Sequence, residues 1–256
     1  MTTRTTIFGL WALVFAAWMA GSVDAAEVKV LSAGAVRAVV TDVADAFAKQ
    51  SGHSVKGTFG PVGVVRGKLA AGEPADLVIA TDVAIDDMAK QGLVVAGSRT
   101  DLARAGVGVG VREGAARPDI STSEAFKQTL LAARSIVYVD PAQGATSGIH
   151  FASVLKILGI AEQVRGKSIL YPGGYAAEAV QKGQAELVVH QISEILPVKG
   201  VMLVGPLPKD LQKVTIYSAG IAAKATAPDA ARAFVEFLTS APIKQKFAAA
   251  GLDYRE

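Results

Sequence analysis

The chain has 256 residues, of which 51% are hydrophobic and 19% charged, with 26 Gly, 10 Pro and no Cys. This composition excludes disordered, collagen-like and disulfide-stapled proteins, and the absence of cysteine also excludes a thiolate nucleophile and Cys-ligated zinc or iron–sulfur sites. The net charge is only +3 and no stretch is densely basic, so we do not expect nucleic acid as a partner.

The N-terminal segment has the pattern of a secretory signal peptide. Arg4 gives a positive start, residues 7–19 are almost continuously apolar, and small residues follow. The apolar stretch is shorter than the ~20 residues that span a bilayer. Val23 and Ala25 suit the positions before a cleavage site, so residues 1–25 are the predicted signal peptide. We expect export to the periplasm as a soluble protein without stable membrane insertion.

From residue 27 onward, short β-branched runs alternate with amphipathic segments, a pattern typical of βαβ units in a mainly parallel α/β sheet. The first series predicts strand 28–33, helix 36–49, strand 54–59, helix 62–71, strand 76–80 and helix 82–91. Residues 105–113 then alternate Val and Gly, which indicates a strand that bends or is closely approached.

A second series follows this segment. It predicts helix 121–131, strand 135–139, helix 147–158, strand 167–171, helix 175–182, strands 186–190, 201–205 and 214–223, and helices 228–238 and 242–249. Ser121 and Glu124 have the spacing of a capping box for its first helix. The two series predict two Rossmann-like lobes, residues 26–104 with 218–256 and residues 105–217, joined by hinge strands near 105–112 and 206–218.

Four predicted strands end in short Gly-rich turns, at residues 33–36, 60–63, 140–148 and 172–175. Ligands of α/β sheets bind where strands end, and free N–H groups at helix starts bind anions without a cationic side chain. A single such turn is more often only a turn, but four that converge predict a site for a small anion. Nucleotide, zinc-protease and hydrolase motifs are absent, so we expect no cofactor and no metal.

The candidate ligand contacts are the residues at these turns. Arg37 and Arg66 lie in the first turns of their helices, where a carboxylate contact and a solvated helix face are equally expected. His190 is the last residue of predicted strand 186–190 and is the best-placed histidine. The full candidate set is Gly34, Ala35, Arg37, Val62, Gly63, Arg66, Thr146, Ser147, Gly174, Tyr175, His190 and Gln191.

Residues 59–82, 140–160 and 182–196 together resemble the periplasmic molybdate-binding proteins of ABC transporters, and the GxPAD sequence at Gly72–Asp76 is the most specific piece. The resemblance covers essentially the whole mature chain. It implies a type II periplasmic solute-binding fold, in which two lobes joined by two crossing strands close over a ligand. It also implies a membrane permease and its ATPase as partners, and we expect a monomer.

The ligand shell departs from the pattern of that family. Ala35 replaces a serine after the first strand, Pro61 and Val62 replace two serines after the second, and Gln191 stands where the family has tyrosine. Each missing hydrogen-bond donor is expected to weaken the binding of a buried oxyanion by roughly 0.5–3 kcal/mol. The remaining hydroxyl, imidazole, amide and guanidinium groups suit a larger ligand with several carboxylate or hydroxyl groups.

The leading interpretation is therefore a periplasmic solute-binding protein that holds a small oxyanion or organic carboxylate between its lobes. The alternative is a polycarboxylate isomerase on the same scaffold, since aconitate isomerase resembles the molybdate-binding proteins. His190, Glu194 or Tyr175 would then carry the proton, although no paired acid–base motif is visible. A structural or adhesive protein is disfavoured because no repeat is present.

Overall fold

The computed structural model describes residues 25–254, so the predicted signal peptide lies outside the described residues except for Ala25. The strands are β1 (Glu27–Ala33), β2 (Ser54–Gly60), β3 (Leu77–Thr81), β4 (Thr100–Ala105), β5 (Val107–Arg112), β6 (Ile136–Val139), β7 (Ser168–Tyr171), β8 (Leu187–Gln191), β9 (Val201–Pro206) and β10 (Thr215–Ile221). In residues 25–254, no helix has the length and apolar character needed to span a membrane.

The helices are α1 (Arg37–Ser51), α2 (Val62–Ala70), α3 (Asp82–Lys90), α4 (Ser123–Ala132), α5 (Thr146–Ile157), α6 (Ala161–Arg165), α7 (Ala177–Gln181), α8 (Ile192–Ile195), α9 (Pro228–Thr239) and α10 (Ala241–Ala249). A 3-10 turn at Gly34–Val36 precedes α1, and another at Pro141–Gln143 precedes α5. Most of these elements match the predicted ones within a few residues, whereas β4, α6 and α8 were not predicted.

The strands form two five-stranded sheets with the orders β2-β1-β3-β10-β4 and β7-β6-β8-β5-β9. β1 pairs in parallel with β2 and β3, and β6 pairs in parallel with β7 and β8. β10 and β5 run antiparallel to both of their neighbours. Both sheets therefore repeat one topology, a mixed α/β arrangement in which a single strand is reversed.

Apolar helix faces cover both sides of each sheet, as the near-continuous hydrophobic runs of the central strands require. Against the first sheet, Phe47 of α1 packs on Phe234 of α9 with ring centroids 4.8 Å apart. The opposite face of that sheet packs on α2 and α3. The second sheet has equivalent clusters, one of which brings Tyr138 of β6 against Phe151 of α5 at 5.0 Å.

The chain passes from the first sheet to the second at Gly106 and returns between β9 and β10. The Gln212 side chain binds both backbone groups of Val107, accepting from its N–H at 2.9 Å and donating to its carbonyl at 2.8 Å. This pairing ties the two crossings together beside Gly106, where an added Cβ would lie 2.7 Å from the Tyr254 ring. The predicted lobe limits and hinge movement stay predictions.

The predicted capping box of α4 is wrong. The N-cap is Thr122, whose hydroxyl accepts the Ala125 N–H at 3.1 Å. The N–H of Ser121 is instead bound by the Asp119 carboxylate, in a turn of its own, and Glu124 accepts from Gln128 on the helix surface. Ser is a slightly better N-cap than Thr, so the choice of Thr122 follows from the preceding turn, in which Asp119 binds the Ser121 N–H.

Asp76, the last residue of the GxPAD sequence, lies just before β3 and connects it to β1 and to the loop that precedes α9. Its carboxylate is buried and accepts the backbone N–H groups of Lys29 in β1, Thr226 and Ala227, together with the Thr226 hydroxyl, at 2.7–3.1 Å. Burial alone raises the pKa of Asp76, but these hydrogen bonds outweigh it and hold the pKa below its ordinary value. The motif therefore has a structural role, since Ala227 is the N-cap of α9.

Replacing Asp76 by Ala is expected to lower the free energy of unfolding by about 3 kcal/mol or more, because three N–H donors lose their acceptor in a buried site. A carboxylate whose pKa is depressed by folding stabilises the folded state above its unfolded pKa of ~3.9. The difference between wild type and Asp76→Ala should therefore shrink as the pH falls through the folded pKa. Denaturant unfolding from neutral to acidic pH measures both effects.

The matched control is Asp45→Ala, at an exposed position of α1. Its free energy of unfolding should stay within about 0.5 kcal/mol of wild type, as for most exposed positions. Equal losses in both variants, or a loss at Asp76 that does not change with pH, would contradict the assigned role.

Candidate functional site

A small cavity lies between the two sheets, where the strands of both sheets end. Its walls come from the ends of β1, β2, β6 and β8, the starts of α2, α5 and α8, and Tyr217 of β10. The cavity volume is about 30 Å³, which is room for roughly two water molecules. The half of the protein that contains the first sheet and the half that contains the second sheet therefore both contribute to one polar site.

The helices that begin at the cavity have no side-chain caps. The N-cap residues of the first 3-10 turn, α2, α5 and α8 are Ala33, Pro61, Ala145 and Gln191, and none makes a side-chain cap hydrogen bond. By contrast, Thr81 caps α3, which does not begin at this cavity. The first N–H groups of a helix need acceptors from outside the helix. Backbone carbonyls of Gly144 and Gly106 accept from Gly63 and Ile192, so the remaining N–H groups at these uncapped starts are the donors that a ligand can use.

His190 is buried at the end of β8 and has partners on both ring nitrogens. Its Nε2 lies 3.1 Å from the Gly174 carbonyl oxygen, which only accepts, and its Nδ1 accepts the Gln191 N–H at 2.8 Å. The hydrogen is therefore on Nε2 and the ring is neutral. The Ser147 hydroxyl lies 3.1 Å from Nδ1, where it donates to the same lone pair.

Glu194 is the acidic residue in the cavity wall, and it is only 7% exposed. Its Oε2 lies 3.5 Å from Nδ1 of His190. Its Oε1 lies against Gly34 of the other half, where an added Cβ would be 2.5 Å away. Burial raises the pKa of Glu194 above its ordinary value, and His190 and Arg37 offset this only in part. This carboxyl consequently holds a proton more readily than an exposed one.

Tyr217 is a site residue that the sequence analysis missed. Its hydroxyl receives a hydrogen bond from Nε2 of Gln191 at 3.2 Å and pairs with Thr146. Burial raises the pKa of Tyr217 far above its ordinary value, so the hydroxyl stays neutral. In the sequence this tyrosine lies inside an apolar strand and resembles a core residue. The oxygen Oε1 of Gln191 is buried without a hydrogen-bond partner in the described part of the chain.

Arg37 lies at the rim of the cavity between aromatic rings of the two halves. Its guanidinium carbon is 5.7 Å from the ring centroid of Phe59 and 5.3 Å from that of Tyr175. Stacking on aromatic faces fixes the plane of a guanidinium while leaving its N–H edge free to bind a carboxylate. Burial raises the pKa of Tyr175, with Arg37 opposing the shift.

The two halves also touch through their backbones, at Gly63 of α2 and Gly144. The Gly63 N–H donates to the Gly144 carbonyl at 3.2 Å. A Cβ at Gly63 would lie 2.7 Å from the Gln143 carbonyl oxygen and 2.8 Å from the Gly144 Cα. This approach is open only to glycine.

The structure brings most of the predicted site residues together. Those in the cavity wall are Gly34, Ala35, Val62, Thr146, Ser147, Gly174, His190, Gln191 and Glu194. Arg37, Tyr175 and Gly63 lie at the rim, and Arg66 is exposed on α2 away from the wall. Their binding of a ligand stays a prediction. Among the described residues, no group of three or more His, Cys, Asp or Glu is arranged to hold a metal ion.

Comparisons with known proteins agree with this geometry. The family model described as bacterial extracellular solute-binding protein matches residues 28–253. An aconitate isomerase of Pseudomonas sp is 35% identical over 217 residues, covering 82% of this chain and 81% of that protein. The molybdate-binding protein of Azotobacter vinelandii is 31% identical over 228 residues, covering 86% of this chain and 87% of that protein.

A similarity in three dimensions accompanies these matches. The structure of the periplasmic molybdate-binding protein from Azotobacter vinelandii superposes with a TM-score of 0.76 at 22% identity, covering 90% of this chain and all of that one. At 22% identity, this structural similarity establishes the fold alone. The two sheets described above are thus the two lobes of the periplasmic binding protein architecture.

Replacing Gly63 by Ala is expected to hold the two halves apart. Overpacking of this kind costs ~1–3 kcal/mol, so the population of the contacted arrangement should fall by roughly tenfold. The chain has no cysteine, so labels on Val83→Cys and Ile149→Cys, two exposed positions at the mouth of the cleft, report the separation by pulsed EPR. The distance distribution should shift to longer values.

Gly67→Ala on the same helix is the control, because an added Cβ there meets nothing within 4 Å. Its label distances should match those of the wild-type background. Unchanged distances in the Gly63 variant would show that the glycine contact does not govern the separation of the halves.

Proposed function

This chain belongs to the bacterial extracellular solute-binding proteins, and we propose that its cavity binds a small organic anion with more than one carboxylate group. The observation that carries the proposal is the convergence of uncapped helix starts from both halves on one cavity. Such starts bind anions through backbone N–H groups and the positive end of the helix dipole. Arg37 at the rim supplies a planar cation suited to a carboxylate.

The chemistry of the wall supports a carboxylate over a bare tetrahedral oxyanion. Ala35 and Pro61 line the cavity where a hydroxyl and an N–H donor would serve an oxyanion. The Ser147 hydroxyl is engaged by His190, and Glu194 adds acceptor oxygens, which repel an ion that carries only acceptors. A ligand with several groups can instead place one carboxylate at the helix starts and another near Arg37.

The ligand enters by separation of the halves. A cavity of about 30 Å³ is too small for a di- or tricarboxylate, so residues 26–104 with 218–256 move relative to residues 105–217. The bending lies at the two crossings, Gly106 and residues 206–218. Contacts across the cleft, such as Gly63 with Gly144, then form last and retain the ligand.

The cellular role follows from the family. After cleavage of the signal peptide, residues 1–25, the protein resides in the periplasm as a monomer and delivers its anion to the permease of an ABC transporter. The support is the family match over residues 28–253 and the molybdate-binding relative at 31% identity.

A second candidate function, isomerisation of the bound polycarboxylate, is favoured by the buried pair of His190 and Glu194 and by the aconitate isomerase relative. The base would be the Nδ1 lone pair of His190, which the Ser147 hydroxyl and the Gln191 N–H occupy in this structure and must release to the substrate, so that it takes a proton from a carbon beside a double bond. Returning the proton at the far end of that allylic system shifts the double bond. The negative charge that develops on the substrate carboxylate meanwhile faces the helix-start donors.

Tricarboxylates are expected to raise the melting temperature of unfolded and refolded protein, whereas molybdate at the same concentration should have little effect. Stabilisation follows RT ln(1 + [L]/Kd), about 2.7 kcal/mol at a hundredfold excess over Kd. The probes are trans-aconitate, cis-aconitate, citrate and sodium molybdate in a thermal-shift assay. Stabilisation by molybdate alone would contradict the proposed ligand class.

Arg37→Ala is expected to weaken tricarboxylate binding by roughly ten- to a hundredfold, since a charge-assisted hydrogen bond is worth ~1.5–3 kcal/mol. Arg66→Ala is the matched control, because Arg66 is exposed on α2 outside the cavity. Isothermal titration of both variants measures the change. Equal Kd values in the two variants would remove Arg37 from the site.

Incubation with trans-aconitate, followed by NMR of the olefinic protons, tests the second candidate. If the isomerase function holds, cis-aconitate forms, and His190→Gln slows its formation by at least 100-fold while tricarboxylate binding persists. His150→Gln, on α5 outside the cavity wall, should keep the wild-type rate. Absence of cis-aconitate with bound trans-aconitate would leave the binding function and reject the isomerase.

A further inference from the structure

Glu194 is an unusual component of a cavity built to attract anions. It is the acidic residue of the wall, it is 7% exposed, and it faces the same space as the uncapped start at Gly34. An ionised carboxylate in this position would repel the ligand that the helix starts attract. The cavity therefore combines donors for an anion with a group that opposes one.

Among residues 25–254, Glu194 has no Arg or Lys partner in an ion pair, and its nearest basic group is His190, with Nδ1 3.5 Å from Oε2. His190 of β8 is kept neutral by the Gly174 carbonyl and the Gln191 N–H. β9, which also packs on α8, has no ionisable residue. Arg112 of β5 is engaged with the Gln181 carbonyl.

The groups that face Glu194 from other elements do not neutralise it either. Arg37 of α1 is exposed at the rim, stacked between Phe59 and Tyr175, and makes no ion pair with Glu194 in the described structure. Tyr175 and Tyr217 are neutral phenols, and burial raises the pKa of each. A buried carboxylate without a fixed counter-ion takes up a proton.

We propose that the protein captures its anion together with one proton, which lies between the Glu194 carboxyl and a carboxylate oxygen of the ligand. The inference rests on the proposed function and specifies its ligand class. With the proton on Glu194, its O–H donates to the ligand oxygen in a short, charge-assisted hydrogen bond. With the proton on the ligand, the acid group donates to Glu194, so either placement replaces repulsion by attraction.

The missing side chain at Gly34 makes this contact possible. An added Cβ at Gly34 would be 2.5 Å from Oε1 of Glu194, so only glycine leaves that oxygen accessible at the first helix start. A ligand oxygen held there by the start of the helix adjoins Oε1. Anions of weak acids share a proton in this way, whereas sulfate, the anion of a strong acid, does not, so the site selects carboxylates.

Isothermal titration calorimetry with propane-1,2,3-tricarboxylate tests the inference, because this saturated probe has no double bond to isomerise. Titrations above neutral pH, where the probe is fully ionised, are repeated in buffers of different ionisation enthalpy. The dependence of the measured heat on that enthalpy gives the number of protons bound. When the halves are separated, water reaches Glu194 and keeps it ionised at these pH values, so closure over the probe should take up about one proton, and the Kd should rise by up to tenfold for each unit of increasing pH.

Glu194→Gln, which is neutral and of the same size, should bind the probe without proton uptake and with a Kd independent of pH. Glu186→Gln is the control, since Glu186 pairs with Arg134 outside the cavity wall, and it should take up the same number of protons as wild type. Circular dichroism verifies that both variants fold. If a variant does not fold, the number of protons that wild type takes up still tests the proposal.

The outcomes separate this inference from the function on which it rests. Wild-type binding of the probe without proton uptake would overturn the shared proton and leave the carboxylate-binding function intact. Proton uptake that persists in Glu194→Gln would overturn the assignment to Glu194. If no carboxylate binds at any pH, both the function and the shared proton are overturned.

Discussion

Backbone N–H groups at the start of a helix must find acceptors, and at the cavity of this protein the preceding side chains do not supply them. Ala33, Pro61 and Ala145 have no capping oxygen, and the amide of Gln191 is turned toward Tyr217. Backbone carbonyls accept from the N–H groups of Gly63 and Ile192, and the other donors of these helix starts come from both sheets. In the proposed function, an acceptor between the sheets would meet donors of both, which would couple anion binding to the approach of the two halves.

The same residues serve both candidate functions. In both proposals, the imidazole of His190, the buried carboxyl of Glu194 and a set of N–H donors would hold a carboxylate and one proton beside it. Whether that proton only bridges two oxygens or also reaches carbon depends on the ligand, because only a ligand with an acidic C–H next to a double bond can exchange it. Binding and isomerisation therefore differ by a small chemical step on one scaffold.

The repeating strand and helix pattern predicted the fold, because apolar runs and Gly-ended helices are local signals. The turns after the strands also predicted which segments meet at the cavity. The pattern did not predict Tyr217, whose apolar neighbours resemble a core strand, or the choice of Thr122 over Ser121 as a cap, which depends on Asp119. Arg37 is the first residue of α1 and packs between Phe59 and Tyr175, whereas Arg66 lies one turn into α2 and is exposed, a difference that the sequence pattern did not predict.

The position of β10 between β3 and β4 has a consequence for the order of assembly. The second sheet is built from one continuous segment, residues 107–206, and needs no distant sequence. The first sheet cannot be completed until residue 221 is available, because β3 and β4 are joined only through β10. The pairings of β10 with β3 and β4 join residues more than a hundred positions apart. Such a high contact order slows folding. The segment 107–206 can thus complete its sheet while the first sheet, in which β1, β2 and β3 pair with one another, still lacks β10 and β4.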